Sequence, residues 1–135
     1  MGVAPGESTV AGSLEATVLL VEDEEQVRTA LRITLEDYGM TVLSAVDGAD
    51  GLKVWRDSRD TVDVVLTDVV MPRLGGPEMA NSIRAEVADL PVVLMTGHAG
   101  ARDPSRLEQG PEPRVLHKPL DPVSLVEALR AAIGG

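Results

Sequence analysis

The sequence predicts an α/β fold of the (βα)5 type, a doubly wound parallel five-stranded sheet with helices on both faces. Two observations carry this reading. Short apolar runs alternate with amphipathic stretches from residue 17 onward. The first, third and fourth runs are nearly continuous in Val and Leu, as parallel strands covered on both faces require.

The elements follow in order. TVLLVE (17–22), TVLSA (41–45), VDVVLT (62–67), PVVLMT (91–96) and RVLHK (114–118) read as five strands. Between the first two, EEQVRTALRITLEDYG repeats Val27, Leu31 and Leu35 at four-residue steps, and Gly39 follows as a C-cap. DGADGLKVWRDS offers Asp47 as N-cap, with Leu52 and Trp55 on one face. PEMANSIRAEV starts with Pro77 in its first turn and repeats Met79, Ile83 and Val87. The last helix, DPVSLVEALRAAI, has Asp121 as cap, Pro122 at its first position, and Leu125, Leu129 and Ile133 on its apolar stripe. Between strands 4 and 5, Pro104, Gly110, Pro111 and Pro113 leave room for only a short or irregular fourth helix around residues 104–109.

Composition narrows the function. With 135 residues and 44% apolar content the chain is long enough for one domain with its own core. The Gly/Ala/Ser/Pro-rich residues 1–14 read as a flexible tail and 15–135 as the domain. There is no cysteine, which removes disulfides, thiolate metal sites and cysteine nucleophiles. No signal-peptide pattern or membrane-length apolar run is present, so a cytoplasmic protein without membrane contact is expected. Lys and Arg number 12 against 22 Asp and Glu, a formal charge of −10, and the aromatics are limited to Tyr38 and Trp55. That field repels nucleic acid phosphates, and there is no stacking platform for bases. A metal cation is the partner an acidic pocket would concentrate.

In open α/β sheets, ligands bind at the carboxyl ends of strands where strand order reverses. In a five-stranded 2-1-3-4-5 order this point lies between strands 1 and 3. Strand 1 ends in Glu22 and Asp23, and strand 3 runs into Asp68. Strand 4 ends in Thr96 and strand 5 in Lys118, on the same rim. Three carboxylates in one crevice repel one another unless a cation neutralises them. Mg2+ suits, because it takes hard oxygen ligands and keeps waters and phosphate oxygens in its shell. Metal, lysine, hydroxyl and one strand-end carboxylate together suit a phosphoryl group, which the carboxylate can attack.

VLLVEDEEQVR, VVLTDVVMPRLGG, VVLMTGHAG and VLHKPLD resemble the four signature segments of the response-regulator receiver domain, over roughly residues 17–133. In style the chain is similar to receiver domains of hybrid sensor histidine kinases. The resemblance implies a flavodoxin-like fold and a two-component phosphorelay role. Asp68 would accept a phosphoryl group from a phosphohistidine on a sensor kinase or a histidine phosphotransfer domain. Asp23 and Asp68 would ligate Mg2+, with Glu22 acting through water and the Val70 backbone carbonyl as a further ligand. Thr96 would bind the phosphoryl group and shift on activation, and Lys118 would contact Asp68 and a phosphoryl oxygen. Pro119 would follow a cis peptide that aims Lys118 inward. The protein would load and slowly lose its own phosphoryl group but turn over no external substrate, either as a standalone regulator or as a piece of a hybrid kinase.

Some positions depart from the pattern or read plainly. Receivers usually carry Phe or Tyr three residues before the lysine; Val115 stands there, so coupling through a swinging ring is not available. The proline-broken segment 98–113 is expected to be loose. Val70 is apolar and cannot orient a hydrolytic water. His98 reads first as an exposed loop histidine, with a role in phosphoryl lifetime as the alternative, and His117 as an outward-facing strand residue. Glu24 and Glu25 read as acids at a helix N-terminus, and Trp55 and the methionines as packing.

Three rival functions are weaker. A Mg2+-dependent phosphohydrolase would place a second acid two residues after the nucleophile, where Val70 stands. A nucleotide or flavin binder would carry a glycine-rich phosphate loop, and none is present. A receiver fold that works by contact alone, without phosphorylation, would have no need of Glu22, Asp23, Asp68, Thr96 and Lys118 together.

Overall fold

Five parallel strands run through the centre of the computed structural model, which describes residues 13–97 and 107–134. They are β1 (Thr17–Val21), β2 (Thr41–Ala45), β3 (Val64–Asp68), β4 (Val92–Thr96) and β5 (Arg114–His117), in the order β2-β1-β3-β4-β5. Every neighbouring pair is parallel, as predicted. The helices among the described residues are α1 (Glu25–Asp37), α2 (Gly48–Ser58), α3 (Gly76–Arg84) and α4 (Pro122–Gly134).

Successive side chains of a strand point to opposite faces, so each central strand feeds two cores. Leu19, Val21, Val65 and Leu94 meet Trp55 of α2 and Met79, Ala80 and Ile83 of α3. Val18, Leu20, Leu66, Val93 and Met95 meet Leu31 and Leu35 of α1 and Leu125, Val126 and Leu129 of α4. This is why β1, β3 and β4 read as unbroken apolar runs. At the edges, β2 buries only Ala45 and β5 leaves its residues half-buried or exposed. His117 faces outward on β5, as expected, and Val115 packs half-buried against the α2–α3 core.

The expected helix ends are present. Asp47 accepts the Asp50 amide at 2.8 Å and Asp121 accepts the Ser124 amide at 2.9 Å. Gly39 follows α1 with φ +98°, a left-handed conformation that suits glycine. One periodic residue falls outside its helix. α3 ends at Arg84, and Val87 lies beyond it at the solvent edge instead of in the core. The apolar spacing continues there, but the helix gives way to turns after Arg84.

Arg84 is almost fully buried, 1% exposed. Its Nε donates to the Leu90 carbonyl at 3.0 Å, and Nη1 donates to the carbonyls of Gln109 and Pro111 at 2.9 and 2.6 Å. Gln109 returns a bond to the Arg84 carbonyl, and the Glu108 amide donates to Asn81 Oδ1, both at 2.9 Å. The expected short fourth helix and His98 fall largely or wholly on residues 98–106, which lie outside the described residues. Residues 107–113 carry no helix, yet they are fastened to α3 by these bonds rather than left loose. Arg84→Met would leave buried carbonyls unpaired. The expected loss is about 3 kcal/mol of unfolding free energy, read as a lower urea midpoint at unchanged slope.

Candidate phosphoryl and metal site

Each central strand ends in a polar residue at the same rim. β1 stops at Val21, so Glu22 and Asp23 leave the sheet together. β3 extends one residue further than its apolar run predicts, and Asp68 stays in the ladder opposite Met95. Thr96 closes β4 and is buried, and Lys118 follows β5 directly, its amide donating to the Thr96 carbonyl at 2.8 Å. The Lys118–Pro119 peptide is cis, as expected.

The side chains converge. Lys118 Nζ donates to Glu22 Oε1 at 2.8 Å and to Asp68 Oδ2 at 3.1 Å. Glu22 is fully buried, with its Oε2 accepting the Glu24 amide at 3.1 Å and its backbone carbonyl accepting Arg28 Nη1 at 2.8 Å. Asp68 is 9% exposed, so one edge of its carboxylate reaches solvent while Oδ1 accepts the Val69 amide at 2.9 Å. Asp23 stands exposed at the mouth, and carboxylate oxygens of Glu22, Asp23 and Asp68 lie within 4.8 Å of one another. Gly76 starts α3 against the Asp68 backbone, where a Cβ would overlap the Asp68 carbonyl; only glycine lets the chain return so close to Asp68.

Burial pushes the Glu22 carboxyl above its usual range, and the Lys118 and Glu24 contacts offset part of that rise. For Lys118, burial disfavours the ammonium, but its bonds to Glu22 and Asp68 hold it above the usual lysine value. Lys118 compensates one negative charge where three carboxylates gather, which leaves a hard-oxygen cluster suited to a divalent cation such as Mg2+. The six positions singled out by sequence thus fall at one rim, although Val70 presents its side chain to solvent, 60% exposed, and can offer only its backbone. Sequence reasoning missed Arg28, whose cue is its place one turn after the acidic run, and Arg73, discussed below.

Both shifts are upward, so each contribution to stability is lost as pH rises, at different points of the scale. Folded Glu22 holds a proton more tightly than the unfolded chain, so its contribution to stability falls as pH rises above its ordinary value of 4.5. The Lys118 contribution is complete below the ordinary value of 10.5 and is lost only as pH rises through the higher folded value. Lys118→Met should therefore cost about 2–3 kcal/mol at neutral pH, less than a wholly buried pair because Lys118 is 20% exposed. The loss should shrink towards pH 4.5 as the Glu22 carboxyl protonates; urea denaturation in chelator at both pH values measures it.

Comparison with known proteins agrees with this geometry. The family model for the response regulator receiver domain matches residues 18–130. The response regulator UvrY of Escherichia coli is 36% identical over 120 residues, 87% of this chain and 54% of UvrY. The sensor kinase CckA of Brucella abortus is 38% identical over 84 residues, 62% of this chain and 9% of CckA. The chain thus spans about half of one relative and a small part of the other. A receiver domain from Clostridium thermocellum superposes with a TM-score of 0.80 at 30% identity, covering 88% of this chain and 94% of that one. The receiver domain of the hybrid histidine kinase CckA gives 0.73 at 28% identity, covering 87% and 99%. Glu22, Asp23, Asp68, Thr96 and Lys118 therefore meet at one rim of a fold shared with these proteins, and the chain belongs to the response regulator receiver domain family.

Proposed function

We infer that this domain takes a phosphoryl group from a phosphohistidine onto Asp68 and uses the change to alter protein–protein contacts in a two-component phosphorelay. One observation carries the reading: Lys118 Nζ bridges buried Glu22 and rim-facing Asp68 beside Asp23. A lysine so placed already sits where a phosphoryl oxygen would arrive. A carboxylate oxygen of Asp68 forms the bond to phosphorus while the P–N bond of the donor histidine breaks, its ring nitrogen keeping the electron pair. Lys118 then shares its donors between Asp68 and the incoming oxygens, and the Thr96 hydroxyl serves a second oxygen. Glu22, Asp23, Asp68 and the Val70 carbonyl would hold Mg2+, which when bound neutralises phosphoryl charge. The domain acts on itself and turns over no other substrate, whether it works alone or within a hybrid kinase.

The donor would approach beside the lysine. An apolar groove of about 530 Å3 runs between α1 and the segment after β5, lined by Val27, Ala30, Leu31, Pro119 and Leu120 and ending at Lys118. A donor helix seated there would bring its phosphohistidine to the Asp68 rim. No helix of the described residues is long and apolar enough to cross a membrane.

Intact-mass spectrometry after incubation with acetyl phosphate should show one phosphoryl adduct that requires Mg2+ and is absent from Asp68→Asn. A wild type that binds Mg2+ but gains no adduct would replace this reading with a contact module that works without phosphorylation. Ala30→Arg should leave labelling by acetyl phosphate unchanged. It should slow transfer from a phosphorylated histidine phosphotransfer protein about tenfold, the scale of one lost interface anchor.

A further inference from the structure

The loop between β3 and α3, residues 69–75, carries the Val70 carbonyl past the acceptor, and Val70 itself has no packing to hold it. Buried Met71 and half-buried Val69 on either side of it pack into the α2–α3 core, and backbone and side-chain bonds tie the rest of the loop. The base is closed by the Gly76 amide donating to the Val69 carbonyl at 2.9 Å. The tip is tied elsewhere, to the start of α2. Arg73 donates through Nε to Asp47 Oδ2 at 2.8 Å, and its Nη2 reaches the same oxygen. The Leu74 carbonyl next to it accepts the Gly48 amide at 3.2 Å. Two successive loop residues are thus fastened to two successive residues of the α2 N-terminus. Gly48 has no room for a Cβ, which would overlap the Leu74 backbone, so the two segments lie in direct contact.

Arg73 lies at the surface, its side chain 69% exposed, where an ion pair alone contributes little; what sets this pair apart is the carboxylate it meets. The Asp47 side chain is 6% exposed, and its other oxygen is already committed to capping α2 through the Asp50 amide. That amide first, and the Arg73 guanidinium second, hold the Asp47 carboxyl below its usual range. Arg73 adopts φ +70°, a left-handed conformation rare outside glycine, Asn and Asp. A non-glycine residue is strained there, a cost that the bonds to Asp47 offset. A glycine at this turn would avoid that cost but could not reach Asp47.

We propose that Arg73 and Asp47 form a clasp that presets the loop after the phosphoacceptor, so that the Val70 carbonyl is already in place when the metal arrives. The clasp makes Arg73 and Asp47 positioning residues: neither touches the metal or the phosphoryl group, and both act through the backbone between Val69 and Gly76. It rests on the metal reading given above. Removing it frees the loop to sample other conformations, and binding must then bear the cost of ordering it.

Two variants separate this from a loss of folding. Arg73→Asn keeps a residue that tolerates the left-handed conformation but lacks the guanidinium. Asp47→Ser keeps an N-cap for α2 but lacks the carboxylate. Each should raise the Mg2+ dissociation constant, measured by calorimetric titration, about tenfold, the scale of losing a supporting residue at a metal site. The double variant should be no worse than either single, because both remove one interaction. In the metal-free protein, amides of residues 69–76 should exchange faster in both variants while those of β1 and β4 stay protected. Wild-type Mg2+ affinity in both variants would overturn the clasp and leave the metal site standing. A wild type that binds no Mg2+ would overturn the metal reading and the clasp with it.

Discussion

Everything at the functional rim depends on one ammonium between two carboxylates. Lys118 reaches Glu22 across 96 residues of sequence and Asp68 across 50, so it ties the ends of β1, β3 and β5 into one site. Glu22 is buried with its charge, which is costly unless paired. The same lysine that stabilises Glu22 also places a cation against Asp68. Stability and chemistry are therefore linked at this point: a phosphoryl group or a metal that draws Lys118 or Glu22 aside changes the balance of the whole rim.

The scaffold makes such a concentration of charge tolerable. β1, β3 and β4 are covered on both faces by separate helix layers, and their buried runs supply the apolar area that offsets a strained, charged rim. Parallel strands all deliver their carboxyl ends to the same side. The acids gather there, while the opposite pole carries the Arg84 staple and the Leu14–Tyr38 backbone contact that seats the chain before β1.

Two arginines show how the fold handles its irregular segments. Arg84, inside the protein, binds three carbonyls and holds residues 107–113 against α3 where helix propensity fails. Arg73, outside, binds one buried carboxylate and holds the loop beside the acceptor. In both, planar N–H donors organise backbone that prolines and glycines prevent from forming regular structure.

The fold was legible because its signals are local. Continuous Val/Leu runs, four-residue apolar repeats and the caps at Asp47 and Asp121 depend on neighbours a few residues away, and the two-sided sheet follows from them. The site was legible at the level of strand ends, since topology alone brings Glu22, Asp68, Thr96 and Lys118 to one side. The sequence misplaced Val87, because the periodicity continues past Arg84, where the helix ends. It gave no sign of the Arg73–Asp47 pair, 26 residues apart, or of the carbonyls that Arg84 satisfies. By itself the sequence determined which elements form and which residues reach the rim, because those follow from short-range pattern and strand direction. Which charges pair, which loop each arginine holds and how deeply Glu22 is buried were decided only by the tertiary structure, because they depend on distances between segments far apart along the chain.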